Sequence, residues 1–414
     1  MKISEFANKY GISNDTVRYY MKLNLIVPQK KGGHYIFDEE CEEELQEVLK
    51  LKDMGFSLQE IKKIFYFKRI GKLTSYQKNN YYQNLYKEKI NEIEKEIANL
   101  KEAKLDLKEK IADLEKNNNQ NKSVLGIGLE ALNLFVCPDC QGNLSLSAEN
   151  VKDNQVIEGS LNCSCGKSLK IIDGILYNNM IDESDLKIDE KVIERDHIEK
   201  YIKETEPEFM DESYQSLEWL KQNFEELELA NKIILEPGSG YGYFLRQIYE
   251  SIPDSAYYIC IDNDPKMNKY LKSILEMTGK NSNIIFITAD LPKLPIKDNL
   301  VDIMVDFTGT SGYSFQNEEF LLQQLDRYFK ESIIILATFI IYDKFGPNNI
   351  VERPYRYNFM YREVKNNLIK QGFEIKREHK SETKKIKKSM GKYEDFARPG
   401  DKIYSYQLKA ERWS

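Results

Sequence analysis

An apolar run, Lys232-Ile233-Ile234-Leu235-Glu236, leads straight into Pro237-Gly238-Ser239-Gly240-Tyr241-Gly242. Glycines at these points let a backbone pass close to a ligand where a strand gives way to a helix, expected here from Tyr243 onward. A glycine loop alone is weak evidence, since plain turns use the same residue. The acids placed after it add the chemistry. Asp262 closes the run Ala256-Tyr257-Tyr258-Ile259-Cys260-Ile261 and lies 20 residues beyond Gly242, where a carboxylate can accept from both hydroxyls of a ribose. Asp290 and Leu291 follow a third run, Ile284 to Thr288, and could meet an adenine amino group with a carboxylate and an amide. Asp306 ends a fourth run, entered from Leu294-Pro295-Ile296-Lys297-Asp298-Asn299-Leu300-Val301-Asp302. Singly, Glu236, Asp262 or Asp290 could be a helix cap or a turn residue; acids at three strand ends in sequence order fit a ligand cleft better.

A second chemical signal lies upstream. Four of the six cysteines form two short pairs, Cys137-Pro138-Asp139-Cys140 and Cys163-Ser164-Cys165-Gly166, with 22 residues between them. Zinc favours a tetrahedron of thiolates supplied by two knuckles, and the proline and glycine suit tight turns whose amides point at sulfur. The second pair is CxC, one residue shorter than the usual CxxC. The competing reading is a ribbon that folds on its apolar core without metal. Either way the role is structural, because four thiolates leave no open coordination position. Clustered cysteines in a chain this long point to metal in a reducing compartment rather than to a disulfide scaffold. Cys41 and Cys260 stand alone and read as small hydrophobes.

The third signal is a polar helix near the front. Ser4 could cap a first helix carrying Phe6 and Tyr10, ended by Gly11; Ser13 caps a second, with Asp15 in its first turn. That second helix displays Asn14, Thr16, Arg18, Tyr19 and Lys22. Short polar groups and a forked cation are what base edges and phosphates need. Ser57-Leu58-Gln59-Glu60 has the pattern of a capping box opening a later helix. Residues 1–36 carry Lys2, Lys9, Arg18, Lys22, Lys30 and Lys31 against Glu5 and Asp15, while the whole chain is at −7. A positive head on an acidic chain fits a local DNA contact, not a general coat of nucleic acid.

Around these signals the 414 residues divide into a winged head (1–75), a long helix (76–117), a polar linker (117–123), a cysteine segment (124–180) and an α/β body (181–414) whose first fifty residues are connecting helices. In the body, from residue 231, short β-rich runs alternate with helical ones, as in a doubly wound sheet. In the long helix Tyr86, Ile90, Ile93, Ile97, Leu100, Lys104, Leu107, Ile111 and Leu114 step by threes and fours, an apolar seam with one charged interruption. Such a seam calls for a second copy, or for the chain's own body. No run of about 18 apolar residues appears and the first residues lack a signal-peptide core, so a cytoplasmic protein with no membrane span is expected.

The order of Thr16-Val17-Arg18-Tyr19-Tyr20, Leu25-Ile26-Val27-Pro28, Gly33-His34-Tyr35-Ile36-Phe37 and Gly55-Phe56-Ser57-Leu58-Gln59-Glu60-Ile61 resembles the MerR family of transcription regulators. The chain departs from that pattern at Met21 (usually Glu), at Asn24 (usually Gly), and at Tyr35, which takes the place of the wing's Arg; Lys30 and Lys31 are the nearby cations. The resemblance implies a winged helix-turn-helix on double-stranded promoter DNA, with Tyr35 joining the contacts. It also implies an antiparallel homodimer through the long helix, and RNA polymerase as a further partner. The cysteine segment resembles Trm112-like zinc ribbons that are fused to or partner methyltransferases, and the zinc-bearing start of some ribosomal RNA guanine methyltransferases. Over about 180 residues the body resembles class I S-adenosylmethionine-dependent methyltransferases of the small-molecule type. That implies S-adenosyl-L-methionine as cofactor. Glu236 would face the methionine amino group, Asp262 and Asn263 the ribose, and Asp290 and Leu291 the adenine, with Gly238, Gly240 and Gly242 beneath the cofactor.

Asp306 is then the catalytic candidate near the methyl group. No Asn-Pro-Pro-Tyr-like motif follows the fourth strand, which argues against adenine and cytosine amino-methylating enzymes. Phe339-Ile340-Ile341-Tyr342-Asp343-Lys344-Phe345 with Tyr355, Tyr357 and Tyr361 is either an aromatic substrate lid or helix packing, and Lys384–Lys388 reads as a basic exposed loop. The leading expectation is a dimeric regulator whose methyltransferase-like body senses or methylates a small molecule. The alternative is an active small-molecule or ribosomal RNA methyltransferase whose head only controls its own gene. The acidic body disfavours RNA.

Overall fold

The computed structural model describes residues 1–71, 74–117, 123–178, 196–279, 283–387 and 396–413. The chain falls into two compact units, Met1–Asn119 and Gln120–Ser414. Among the described residues, no helix is long and apolar enough to cross a membrane.

The first unit opens with α1 (Ile3–Lys9) and α2 (Asn14–Lys22), followed by the hairpin β1 (Gln29–Lys31) and β2 (His34–Ile36). α3 (Glu39–Asp53), α4 (Leu58–Gly71) and α5 (Ser75–Asn117) complete it. Ser13 Oγ accepts from the Thr16 amide (3.0 Å), as the polar pattern predicts. The capping box forms in both directions: the Ser57 amide donates to Glu60 (2.7 Å) and the Glu60 amide to Ser57 Oγ (3.3 Å). α1 starts earlier than expected. Ser4 lies inside it, and the Glu5 carboxylate takes the Lys2 amide instead (2.9 Å). Asn24 sits at φ 57°, the left-handed position that its short polar side chain tolerates. α3 is an element that motif reading passes over, although Asp38 caps it and three glutamates fill its first turn. Val17 and Tyr20 turn inward to join Phe6, Phe37, Leu45 and Ile64 in one core. α5 runs 43 residues. The seam residues Tyr86, Ile90, Ile93, Ile97, Leu100, Leu107, Ile111 and Leu114 along it are all exposed.

The second unit is built on one sheet. Its early strands are β3 (Ile127–Gly128), β4 (Leu144–Lys152), β5 (Gln155–Cys163), β6 (Ser168–Ile172) and β7 (Ile175–Tyr177). Then come β8 (Ile233–Pro237), β9 (Tyr257–Asp262), β10 (Ile284–Thr288), β11 (Val301–Phe307) and β12 (Phe329–Lys344). β13 (Glu374–Lys380), β14 (Lys384–Lys385) and β15 (Lys402–Arg412) finish it. The order is β13-β15-β12-β11-β8-β9-β10-β7-β6-β5-β3, with β4 on β5 and β14 on β15. β12, β11, β8, β9 and β10 are mutually parallel, whereas β15 slots in antiparallel between β12 and β13.

Two features follow from pairings distant in sequence. The cysteine segment does not stand apart: β7 pairs in parallel with β10, matching Ile175 to Phe286, so the ribbon extends the sheet of the body. The Val136 amide to the Pro295 carbonyl (3.1 Å) and the Asn178 amide to the Thr288 carbonyl (2.9 Å) stitch it further. Connections leave β8 in one direction toward β9 and β10, and the later strands β11 and β12 lie on its other side. That reversal opens a crevice at the carboxyl ends of β8 and β11, the place where doubly wound sheets bind ligands.

Candidate functional site

β8 is apolar on both faces because it is central. Burial leaves Glu236, at its tip, only 2% exposed. Burial is also the main reason its carboxyl is pushed up to about 8, opposed by the Tyr258 hydroxyl that donates to it (2.9 Å). The loop that follows turns on Gly238 and Gly240, both at positive φ. A side chain at Gly238 would meet the Gly309 backbone, so the two loops close on each other only without one. Asp262 holds the loop: one oxygen accepts from the Gly240 amide and the other from the Asp264 amide, both at 2.9 Å. Burial raises its pKa, and those amides oppose the rise.

Two cavities meet over this loop. The larger, about 640 Å³, is lined by Asp262, Asn263, Asp290 and Leu291. The smaller, about 330 Å³, holds Glu236, Ser239, Gly240 and Thr338. Gly238 and Thr308 line both. Thr308 is held left-handed at φ 68°, an uncommon conformation for a residue with a branched side chain. An elongated ligand spanning the pair would place one end on the Asp262–Asp290 side and the other beside Glu236.

The structure sets two predicted residues behind this wall. Gly242 lines neither cavity; its missing side chain makes room for Leu271, so its role is packing. Asp306 is fully buried, and both its oxygens accept from the Thr310 amide (3.2 and 3.1 Å). Burial pushes it up to about 6. It fixes the turn after β11 and lines neither cavity. The helix expected from Tyr243 is only Leu245–Ile248, and within the loop the amides of Ser239, Gly240 and Gly242 bond the Ile261 carbonyl, the Asp262 carboxylate and the Ser239 carbonyl.

The smaller cavity takes Tyr241 and Tyr243 from the glycine loop and Phe307 from β11, and adds rings from segments that carry no motif: Tyr201 and Phe209 ahead of β8, Phe396, and Tyr404 on β15. Of the expected aromatic lid only Ile340 lines it. Tyr342 stacks on Phe345 (4.7 Å), Tyr361 meets Tyr406 (5.0 Å), and Tyr357 bonds the Glu318 carbonyl. The basic run is not a free loop either: Lys384 and Lys385 pair with β15, and Lys384 bonds Glu212 (2.8 Å). Lys388 lies outside the described residues.

At the ribbon, Cys137, Cys140, Cys163 and Cys165 present sulfurs that all lie within 4.8 Å of one another. Two of the separations are 3.6 Å (Cys137–Cys165) and 3.4 Å (Cys140–Cys163). A zinc tetrahedron with bonds of about 2.3 Å has edges of about 3.8 Å. The CxC knuckle thus reaches a four-sulfur geometry despite its short spacing. Amides of Gly142, Cys165 and Lys167 point at the sulfurs, as the turn residues suggest.

On the head, Asn14, Arg18, Tyr19, Lys22 and Tyr35 are exposed. Arg18 leans on Asp15 (3.2 Å), and Lys30 lies over the Tyr35 ring (5.9 Å). Thr16 differs: it is half-buried, with its hydroxyl on Ser13 Oγ (2.8 Å), and serves the cap. Lys9 is paired with Glu42 of α3 (2.7 Å), which trims the positive charge of the head.

Residues 1–68 match the family model of MerR HTH regulatory proteins, and residues 234–332 match that of a methyltransferase domain. The HTH-type transcriptional regulator YfmP of Bacillus subtilis (strain 168) is 33% identical over 104 residues, which is 23% of this chain and 72% of that protein. The mercuric resistance operon regulatory protein of Bacillus cereus is 31% identical over 65 residues, 15% of this chain and 49% of that one. Among solved structures, a SAM dependent methyltransferase from Aquifex aeolicus is 18% identical and covers 56% of this chain and 100% of its own, with a TM-score of 0.34. One from Mesorhizobium loti is 16% identical and covers 47% of this chain and 98% of its own, with a TM-score of 0.31.

Proposed function

The chain belongs to the MerR HTH family of regulatory proteins and carries a methyltransferase domain behind that head, and from this premise we propose that it is a homodimeric, promoter-binding regulator whose body binds S-adenosyl-L-methionine and senses or methylates a small molecule. The observation that carries the reading is the pair of cavities joined at Gly238 and Thr308, with acids from three neighbouring strand tips around them. The residues fit the cofactor. Asp262 and Asn263 would hold the ribose, Asp290 and Leu291 the adenine, and Glu236 the α-ammonium. Ser239 Oγ, buried and with no partner among the described residues, offers a further polar contact. The bound cofactor supplies an electrophilic methyl group. The chain's part is alignment: the Gly238–Gly309 approach fixes the passage between cavities, and Asp306 holds its far wall through Thr310. α2 would enter the major groove with Asn14, Arg18, Tyr19 and Lys22, and the dimer would set two such helices on symmetric half-sites.

Promoter-fragment binding by the purified protein, with and without cofactor, tests this when combined with a turnover assay on cell extracts. Cofactor-dependent DNA affinity supports a sensor, and turnover with unchanged DNA affinity supports an enzyme with a passive head. Loss of both refutes the reading.

The buried Glu236 gives a pH signature. Its folded pKa, about 8, lies above the unfolded value of 4.5, so the empty body keeps a proton there that the unfolded chain releases. This group therefore stabilises the empty body at low pH, and its contribution is lost as pH rises from 4.5 toward 8. Binding an ammonium needs the ionised form. Cofactor affinity should rise with pH between about 6 and 7, up to about tenfold per unit. Calorimetry at several pH values checks it, and Glu236→Gln should flatten the profile.

Zinc on the four thiolates would tie the ribbon to the sheet it extends. We expect one zinc per chain by elemental analysis. Cys163→Ser should release it and lower the melting temperature of the second unit by about 10 °C, since structural zinc contributes folding energy directly. Full stability without metal would favour a ribbon held by its apolar core alone.

A further inference from the structure

The smaller cavity also constrains what it accepts, a deduction that rests on the cofactor reading above. At about 330 Å³ it sits near the lower end of small-molecule sites, which run to about 1,000 Å³. Its walls are rich in aromatic rings. Tyr201 and Tyr243 lie 5.6 Å apart, and Phe209 meets Phe396 at 6.0 Å. Ring faces carry negative potential and attract cations.

The polar groups have the same sign. Glu212 is buried on the helix Pro207–Glu225 and lines the cavity. One of its oxygens is filled by Ser381 Oγ (2.6 Å), the Ser405 amide (3.0 Å) and Ser405 Oγ (2.6 Å). The other bonds Lys384 Nζ (2.8 Å) and keeps acceptor capacity. Lys384 is not part of the lining, so Glu212 is the member of the pair that borders the cavity. Hydrogen bonding to Lys384 and the serines holds Glu212 ionised, its pKa lowered against the opposing effect of burial. Thr338 Oγ1 is a buried lining hydroxyl with no partner among the described residues, ready to accept an N–H.

We propose that this cavity takes a small amine bearing one or two rings, and that the carboxylate of Glu212, the ring faces and the Thr338 hydroxyl recognise its nitrogen. For transfer the amine acts as free base. The nitrogen lone pair forms the new N–CH₃ bond while the C–S pair returns to sulfur, and any N–H proton leaves to water. Positive charge thus moves from sulfur to nitrogen, into surroundings already arranged to stabilise it.

The test is calorimetry on the full-length protein with three indole probes of one shape: tryptamine (cationic), 3-ethylindole (neutral) and indole-3-propionate (anionic). Each is titrated with and without S-adenosylhomocysteine. Tryptamine should bind about tenfold or more tighter than indole-3-propionate. Glu212→Gln should reduce that ratio to about threefold or less. Thr338→Val, nearly isosteric, covers the case in which the Glu212 variant does not fold; it should weaken tryptamine about threefold or more. An anion bound as tightly as the cation, no probe binding, or tryptamine affinity unchanged in Thr338→Val overturns the proposal. S-adenosylhomocysteine giving no heat while tryptamine keeps its preference would overturn the cofactor reading and support the amine site.

Discussion

Asp262→Ala is expected to raise the dissociation constant of S-adenosylhomocysteine about 100-fold, or about 3 kcal/mol. Two losses combine. The carboxylate would accept from the ribose hydroxyls, and hydrogen bonds to a charged group contribute about 1.5–3 kcal/mol. The same oxygens hold the Gly240 and Asp264 amides, so the glycine loop loses its anchor and must be ordered by the ligand. Asp262→Asn keeps the volume and one acceptor oxygen and should fall between. Because Asp262 lies in the second unit, the head of the variant should still bind DNA. Calorimetry that finds Asp262→Ala within threefold of the parent would remove the nucleoside from this cleft.

Ile97→Lys is expected to convert the proposed dimer to monomer at micromolar concentration. Leu100, Leu107 and Leu114 are 63, 63 and 67% exposed in the single chain, far more than a long apolar row in water sustains without a partner. In a two-fold seam one substitution enters twice. A lysine can snorkel its ammonium outward, so the cost is about 2 kcal/mol per copy, and about 1,000-fold in dissociation for the pair. Sedimentation velocity reads the mass directly. Promoter affinity should fall with it, because each monomer then grips one half-site alone. A variant that stays dimeric would assign the seam to some other contact.

The sequence and the structure agree where the determinant is local. The Ser13 cap, the Ser57–Glu60 box, the left-handed Asn24 and the β10 run from Ile284 to Thr288 all form within a few residues of their own signals. Asp262 and Asp290 were legible because an acid at a strand tip must lie near the glycine loop in any doubly wound sheet. Asp306 fits the same rule by position, yet in the folded chain its carboxylate is used by the Thr310 amide. Which neighbour captures a buried acid depends on the turn that follows, and spacing does not encode that. Thr16 shows the same effect at smaller scale, its hydroxyl drawn to the cap residue three positions earlier.

What the chain declares by itself is its set of chemical parts: a polar recognition helix, an apolar seam, four cysteines in two knuckles, and a glycine loop with acids after it. Periodicity, caps and short spacings act over one or two turns of chain, so they survive in one dimension. Tertiary structure alone decided that the ribbon prolongs the sheet through β7 and β10, and that residues as far apart as Tyr201, Thr338 and Tyr404 wall one cavity. Those juxtapositions come from burying faces that meet only after long loops close, and the closing free energy is shared over the whole core rather than written at any single position.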